Sequence, residues 1–333
     1  MTDCARTQPI DRDRSTTALA CVDVLIAARD RADTIERAVL SALAQDEVRT
    51  VIVVDDGSED NTAAKAVACD PKGERVIVKR LPASRGPSAA RNIAIEISTA
   101  PWVAILDGDD FFLPKRLRAL LAASDDWDFV ADDLLQVTED RIDEVRWAPA
   151  PGALSLKTGA LTLEEFVLGN VTRQGALRKE LGFLKPLIRR SFLDRHGLRY
   201  DEALRLGEDY ALYARALAAG ARFLTIADAG YVSVMRLESL SGRHNRLELE
   251  RLRDSDREMM AMDGLAPKDR KALAKHYSSV DCRVQWLMVI EAYKARDYLR
   301  FLVPFFRSFI TARFVLMQLI EETHRRLRGA AAD

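Results

Sequence analysis

The chain has 333 residues, 48% hydrophobic and 30% charged, the proportions of an ordinary globular protein with room for one large domain and a smaller appendage. With 50 Lys and Arg against 51 Asp and Glu, the formal net charge is −1, so no global field favours nucleic acid as a partner. No uninterrupted apolar run reaches the length of a membrane span, and four scattered cysteines offer neither a zinc nor a redox spacing and fit a reducing compartment.

Residues 1–20 are polar and mixed in charge, lack a signal-peptide core, and read as a disordered leader. Residues 22–28 form a first apolar run, followed by the polar loop Arg29-Asp30-Arg31-Ala32-Asp33. Asp33 or Thr34 can cap a helix that places Ile35, Ala38, Val39, Ala42 and Leu43 on one face. A second apolar run, 51–54, ends in Asp55-Asp56-Gly57-Ser58, and a helix over 62–69 and a shorter strand over 75–80 follow. Pro87 then opens a helix with Ile93, Ala94 and Ile97 inward. The run 102–106 reads as a strand buried on both faces, and it stops in Asp107-Gly108-Asp109-Asp110.

Three carboxylates in four residues repel one another, and a hard divalent cation is the simplest physical resolution. The plainer alternative is an acidic turn that caps the next helix. Alternation of strand and helix predicts an α/β fold with a mostly parallel sheet, helices on both faces and a ligand site beyond the strands' carboxyl ends. Asp30, Asp56 and Asp109 all fall on that rim, which suits a nucleotide diphosphate with its metal, or a polyol. No Gly-x-Gly-x-x-Gly or P-loop follows the first strand, which disfavours a dehydrogenase or a P-loop enzyme.

Residues 22–26, the Val-Val-Asp-Asp-Gly-Ser-x-Asp-x-Thr stretch at 53–62, Gly86-Pro87-Ser88-Ala89-Ala90-Arg91-Asn92 and Leu106-Asp107-Gly108-Asp109-Asp110 together resemble family-2 glycosyltransferases. These are inverting enzymes of the GT-A fold, with a Rossmann-like, mostly parallel central sheet flanked by helices. The resemblance is strong over 21–117 and weaker to about residue 229. It implies a catalytic domain over 21–245. Position by position, Asp56 resembles the acid that contacts the base of a sugar nucleotide, and Ala27 and Arg29 match residues lining that base pocket. Arg91 matches a basic residue near the donor phosphates or sugar. Asp107 and Asp109 form the Asp-x-Asp motif, Asp109 as the direct ligand of Mg2+ or Mn2+, and Asp110 orients metal-bound water or the donor sugar. The family's usual Pro-Ala or Pro-Thr followed by Tyr-Asn is Ala27-Ala28-Arg29-Asp30 here, so the aromatic commonly stacked on the base is replaced; the guanidinium plane of Arg29 can stack instead.

Residues 128–133 read as a strand ending in acids, near a sugar hydroxyl. The charged 139–145 segment and a Pro-rich loop follow; 161–168 is a helix capped by Thr162, and the basic stretch 169–179 is expected to border the acceptor. A short strand with an Arg leads through Lys185 towards Glu208-Asp209, which matches the family's Glu-Asp pair, with Asp209 resembling the general base. Acids at a helix start are also favoured by the macrodipole alone. The last strand of the domain is expected over 221–226, with 231–236 a separate segment and then a polar loop in which His244 could reach metal or pyrophosphate and Arg236 or Arg243 a phosphate oxygen. A lone His in such a loop is more often solvated. Residues 246–333 are helical in pattern, and their aromatic, Arg-interrupted face lies in a bilayer interface or packs on the catalytic domain or a second subunit.

The resemblance extends in general look to succinoglycan-type exopolysaccharide enzymes. It implies metal-dependent transfer of a hexose, glucose first, from a UDP-sugar to a saccharide on polyprenyl diphosphate, in the cytoplasm at the inner face of the membrane. Two other classes compete. A sugar nucleotidyltransferase wants a Gly-rich phosphate loop that residues 27–32 lack, and a non-catalytic nucleotide- or saccharide-binding scaffold does not need Asp56, Asp109 and Asp209 intact.

Overall fold

The first apolar run becomes β1 (Val22–Ala28), central in the parallel half of a nine-stranded sheet. The computed structural model describes residues 21–145, 155–171, 181–235 and 245–329. After β1 come α1 (Ile35–Leu43), β2 (Val48–Asp55), α2 (Thr62–Ala68), β3 (Val76–Arg80), α3 (Pro87–Ile97) and β4 (Trp102–Asp107). Because helices cover both faces, β1, β2 and β4 bury nearly every side chain. Parallel register sets Ala28 beside Asp55 and Ala27 beside Asp107, so the acidic ends of β2 and β4 flank the end of β1. One acid inside β1 belongs elsewhere: Asp23 accepts hydrogen bonds from Arg49, Ser98 Oγ and the Thr99 and Ala100 amides, so its buried charge is satisfied.

Beyond β4 the chain runs through β5 (Phe111–Phe112), α4 (Arg116–Ala122), β6 (Phe129–Thr138), α5 (Ile142–Val145), β7 (Gly159–Ala160), α6 (Leu163–Gly169), β8 (Leu187–Arg189), α7 (Arg190–Arg195), α8 (Glu208–Ala218) and β9 (Phe223–Met235). The order is β3-β2-β1-β4-β8-β6-β9-β5, with β7 on β9. β8 enters antiparallel between β4 and β6, while β6 and β9 run parallel. Thr162 caps α6 in a reciprocal box with Glu165, as its sequence predicts.

Two expectations are corrected here. The strand expected over 221–226 and the described part of the segment 231–236 belong to a single strand, β9 (Phe223–Met235), because β6 is long enough to pair with it on both sides of a register shift near Asp133. Asp132 and Asp133 do not end a strand beside a sugar; they lie buried within β6. Asp132 takes the Arg116 guanidinium at 2.6 Å and the Gly230 amide at 2.8 Å, and Asp133 takes the amides of Leu134 and Leu156. Desolvated carboxylates must find donors, and these two found structural ones.

The C-terminal helices are α9 (Arg246–Met260), α10 (Pro267–Ala295), α11 (Tyr298–Arg307) and α12 (Phe309–Gly329). Leu249, Leu252 and Met259 of α9 and Leu273, Val280 and Val284 of α10 share one core cluster with Phe166 of α6 and Tyr210 of α8. The outer pair differs: Leu299, Phe306 and Phe309 are 83%, 86% and 83% exposed. No helix among the described residues is long and apolar enough to cross a membrane.

The Arg116–Asp132 pair is wholly buried. Arg116→Met strands the carboxylate and is expected to lower unfolding stability by about 3–5 kcal/mol. Urea unfolding monitored by circular dichroism measures it, and a loss near zero would show that the carboxylate has another route to solvation.

Candidate active site

A cleft of about 980 Å3 opens at the carboxyl ends of β1, β2 and β4. Its first wall carries Ala27, Arg29 and Asp56, the three residues matched to a base pocket. Asp56 is buried, and its carboxylate accepts hydrogen bonds from Ser84 Oγ (2.7 Å), Arg85 N (2.6 Å) and Gly86 N (2.9 Å), which fixes the turn into α3. Gly57, next to it, has φ +71°, and a Cβ there would stand 2.8 Å from the backbone of Ala83 and Ser84, so this bend admits only glycine.

The floor is a buried charge network. Lys185, just before β8, places Nζ 2.6 Å from Asp209 Oδ2 and 2.9 Å from Asp107 Oδ2. Arg91 of α3 reaches Asp107 Oδ1 at 2.7 Å and Glu208 Oε1 at 2.9 Å, with Asp209 Oδ1 at 3.8 Å, and its guanidinium lies over the Tyr200 ring. Burial pushes the Asp107 carboxyl up, but Lys185 and Arg91 outweigh it and hold it well below the usual carboxylate range. Burial likewise works to strip the proton from Lys185, and the Asp107 and Asp209 carboxylates outweigh it, raising the ammonium above the ordinary lysine range. Tyr200 and Tyr213 are raised well above the ordinary phenol value, first by burial and then by the charge of Asp209. Asp209 Oδ1 is buried, with Arg91 Nη1 at 3.8 Å and the Tyr200 phenol beside the carboxylate.

The Asp-x-Asp loop is anchored by α1: Thr34 Oγ1 donates to Gly108 O (2.8 Å) and Arg37 Nη2 to Asp109 O (2.6 Å). Asp109 itself is 25% exposed on its side chain, faces the cleft and pairs with Arg31 Nε at 3.1 Å. Among the described residues no three His, Cys, Asp or Glu side chains converge as a complete metal-ligand set. A hard cation commonly binds through one or two carboxylates and completes its shell with substrate phosphate and water, and a partly exposed carboxylate in an open cleft fits that pattern. The opposite wall is built by Glu248 and Leu252 of α9 and by His276, Ser279, Val280 and Arg283 of α10.

The family model for glycosyl transferase family 2 matches residues 23–181. The succinoglycan biosynthesis protein ExoU of Rhizobium meliloti (strain 1021) is 49% identical over 269 residues, which cover 78% of this chain and 76% of that protein. This chain belongs to glycosyltransferase family 2. A second protein of the same organism, the succinoglycan biosynthesis protein ExoO, is 35% identical over 319 residues, covering 93% of this chain and 87% of its own. Among solved structures, residues 1–349 of S. aureus TarS in complex with UDP-GlcNAc superpose with a TM-score of 0.62 at 19% identity, over 84% of this chain and 89% of that one. The mannosyltransferase PcManGT of Pyrobaculum calidifontis, in complex with GDP-Man and Mn2+, gives 0.55 at 16% identity over 93% and 83%. At such identities the likeness speaks for the GT-A fold alone.

In this family-2 glycosyltransferase the cleft gathers Ala27, Arg29, Asp56, Arg91, Asp107, Asp109, Glu208 and Asp209 from five separate stretches of chain. Asp110 departs from its expected place at the donor. It is buried against β9, accepting from Tyr231 Oη (2.7 Å) and Val234 N (2.9 Å), and it is not among the residues lining the cleft. Burial, then the charges of Asp107 and Asp109, push its carboxyl up to about 7, so this third acid braces the loop. His244, Arg236 and Arg243 lie outside the described residues, as does 172–180 of the stretch expected to border the acceptor.

Sequence reasoning passed over Arg31, Arg205 and the α9–α10 wall, and it left Lys185 without a role. A lysine directly before Pro186 in an otherwise apolar segment was a usable signal, since a buried ammonium requires carboxylate partners. Arg205 lines the cleft beside Gly86 and has no ion pair among the described residues.

Lys185→Met removes the cation shared by Asp107 and Asp209 and is expected to cost about 3–5 kcal/mol at neutral pH. The low folded value of Asp107 supplies stability above its ordinary value of 3.8 that disappears as pH falls towards the folded value. The deficit of the variant therefore shrinks on acidification below about pH 4. Melting curves of both proteins from pH 7 to pH 3 measure this, and a deficit that grows in acid would contradict the pairing.

Proposed function

We propose that this chain is an inverting hexosyltransferase of exopolysaccharide assembly. It moves a hexose, glucose in the first instance, from a UDP-sugar to a saccharide carried on polyprenyl diphosphate. The observation that carries the reading is Asp209, held by Lys185 on the floor of a cleft whose adjoining wall is the Asp56–Arg29 pocket. The names of the two R. meliloti relatives support the pathway, and the UDP-GlcNAc bound to TarS supports a nucleotide-sugar donor.

Asp56, Ala27 and Arg29 receive the base, and Arg31 and Arg205 stand where phosphate oxygens can be paired. A Mg2+ or Mn2+ held by Asp109, when bound, supplies positive charge to the leaving diphosphate. Arg91 and Lys185 hold Asp107 and the Glu208–Asp209 pair in place around the sugar. The acceptor oxygen forms its bond to C1 as the C1–phosphate bond breaks, and the electron pair leaves on the diphosphate. The hydroxyl proton passes to the carboxylate of Asp209, which lines the cleft.

The outer faces of α11 and α12 serve a bilayer-borne acceptor. Leu299, Phe306 and Phe309 project from them, and residues 294–333 hold eight Lys and Arg against four Asp and Glu in a chain of net charge −1. An apolar face with excess basic charge suits an anionic lipid surface. Leu299→Ser with Phe306→Ser and Phe309→Ser is expected to abolish cosedimentation with phosphatidylglycerol vesicles while UDP binding persists; undiminished sedimentation would remove these helices from the membrane contact.

Calorimetric titration with UDP, GDP and their sugar conjugates, with and without Mn2+, tests the central reading. Metal-dependent binding of a UDP-sugar is expected, weakened by Asp109→Ala. Asp209→Asn should keep donor affinity and lower turnover about 100- to 10,000-fold. Failure to bind any nucleotide would overturn the transferase reading, and wild-type turnover in Asp209→Asn would overturn the assignment of the base.

A further inference from the structure

The core of the C-terminal helices contains an acid–imidazole pair that the donor chemistry does not use. Asp256 of α9 is fully buried, and one carboxylate oxygen meets His276 Nδ1 of α10 at 2.7 Å. The other accepts the Tyr210 hydroxyl at 2.8 Å, and the Tyr210 and His276 rings lie 4.3 Å apart. Both oxygens are thus engaged with donors from α8 and α10. A carboxylate only accepts, so the proton between Asp256 and His276 sits on Nδ1, and Nε2 is the ring nitrogen turned away from the carboxylate.

The place of His276 in the fold matters. His276 is buried to 6% exposure of its side chain, yet it lines the cleft. Ser279, Val280 and Arg283 follow at helical spacings of three, four and seven and line the same cleft. Leu252 of α9 packs so closely on Gly207 that a Cβ there would stand 2.8 Å from its Cδ1, which sets this wall against the residue preceding Glu208–Asp209.

We infer that His276, oriented by Asp256, is the centre of a subsite that binds the hydroxyls of the acceptor saccharide. The inference rests on the transferase reading and extends it to the second substrate. The base-pocket residues come from the ends of β1 and β2, whereas this wall comes from α9 and α10, which pack on α8 and α6. A donor that places its base against Asp56 leaves this wall to the attacking molecule. Its composition suits a sugar: an imidazole and a Ser279 hydroxyl for hydroxyl groups, with Leu252 and Val280 for C–H faces. Fixing the imidazole through a fully satisfied carboxylate keeps Nε2 from rotating away, which makes it a preorganised contact.

The test is NMR of the full chain carrying histidines labelled at 13Cε1. The chain has four, at positions 196, 244, 276 and 324, and His276→Gln identifies the relevant signal. UDP with Mg2+ is added to saturation, followed by methyl β-glucopyranoside and cellobiose as probes. The His276 signal is expected to move with the saccharides and to stay nearly still with UDP alone. His276→Gln and Ser279→Ala should each weaken the saccharide dissociation constant about tenfold, the effect of one lost hydrogen bond, with UDP affinity unchanged. A signal indifferent to both saccharides, or one that UDP moves and they do not, overturns the subsite. Absence of UDP binding overturns the transferase reading instead. A His276 signal that still responds to saccharide in that case would keep the wall as a saccharide site.

Discussion

The ammonium of Lys185 joins the two halves of this molecule. Asp107 ends the last parallel strand, and Asp209 begins a helix packed on the later half of the sheet. Asp209 would be a costly buried charge alone; bridged by Lys185 to the half-buried Asp107 and flanked by Arg91, it becomes part of one network with Glu208. Supporting contacts converge on the bridge. Arg116, itself neutralised by Asp132, donates to the Lys185 carbonyl at 2.6 Å. A mismatch at any of these points would leave a desolvated charge unpaired, so the floor of the cleft is rigid for electrostatic reasons.

That floor also explains the division of labour among the acids. Asp107 and Asp110 flank Asp109, yet Asp107 is taken by two cations and Asp110 by a tyrosine and an amide. Asp109 alone of the three faces the cleft with a single, partly exposed arginine partner that a phosphate or a metal can displace. The C-terminal helices have two roles in the same way. Their inner pair closes the cleft and completes the core, while their outer pair presents apolar side chains to the surroundings.

The acidic strand ends were legible in the chain because parallel strands bring their carboxyl termini to one rim whatever the details of packing. Asp56 and Asp109 follow from that rule alone. Asp110, Asp132 and Asp133 looked equivalent in sequence and are not. A carboxylate next to an apolar run serves a ligand or the fold according to the direction its side chain takes, and that direction depends on donors contributed from distant residues such as Val234 and Arg116. The continuity of β9 escaped for a related reason, since it needs a partner strand whose length shows only once β6 is paired.

Hydrophobic periodicity and the order of the motifs thus determined the α/β architecture, the family and the rim on which the acidic strand ends lie, because these depend on local pattern and on strand direction. Tertiary structure decided the rest. Which cation neutralises which acid, and that His276, far from every motif, lines the same cleft, depend on contacts between residues separated by tens to more than a hundred positions. Short-range pattern carries no record of such pairings, because their energy resides in desolvation and geometry that exist only after the chain has closed on itself.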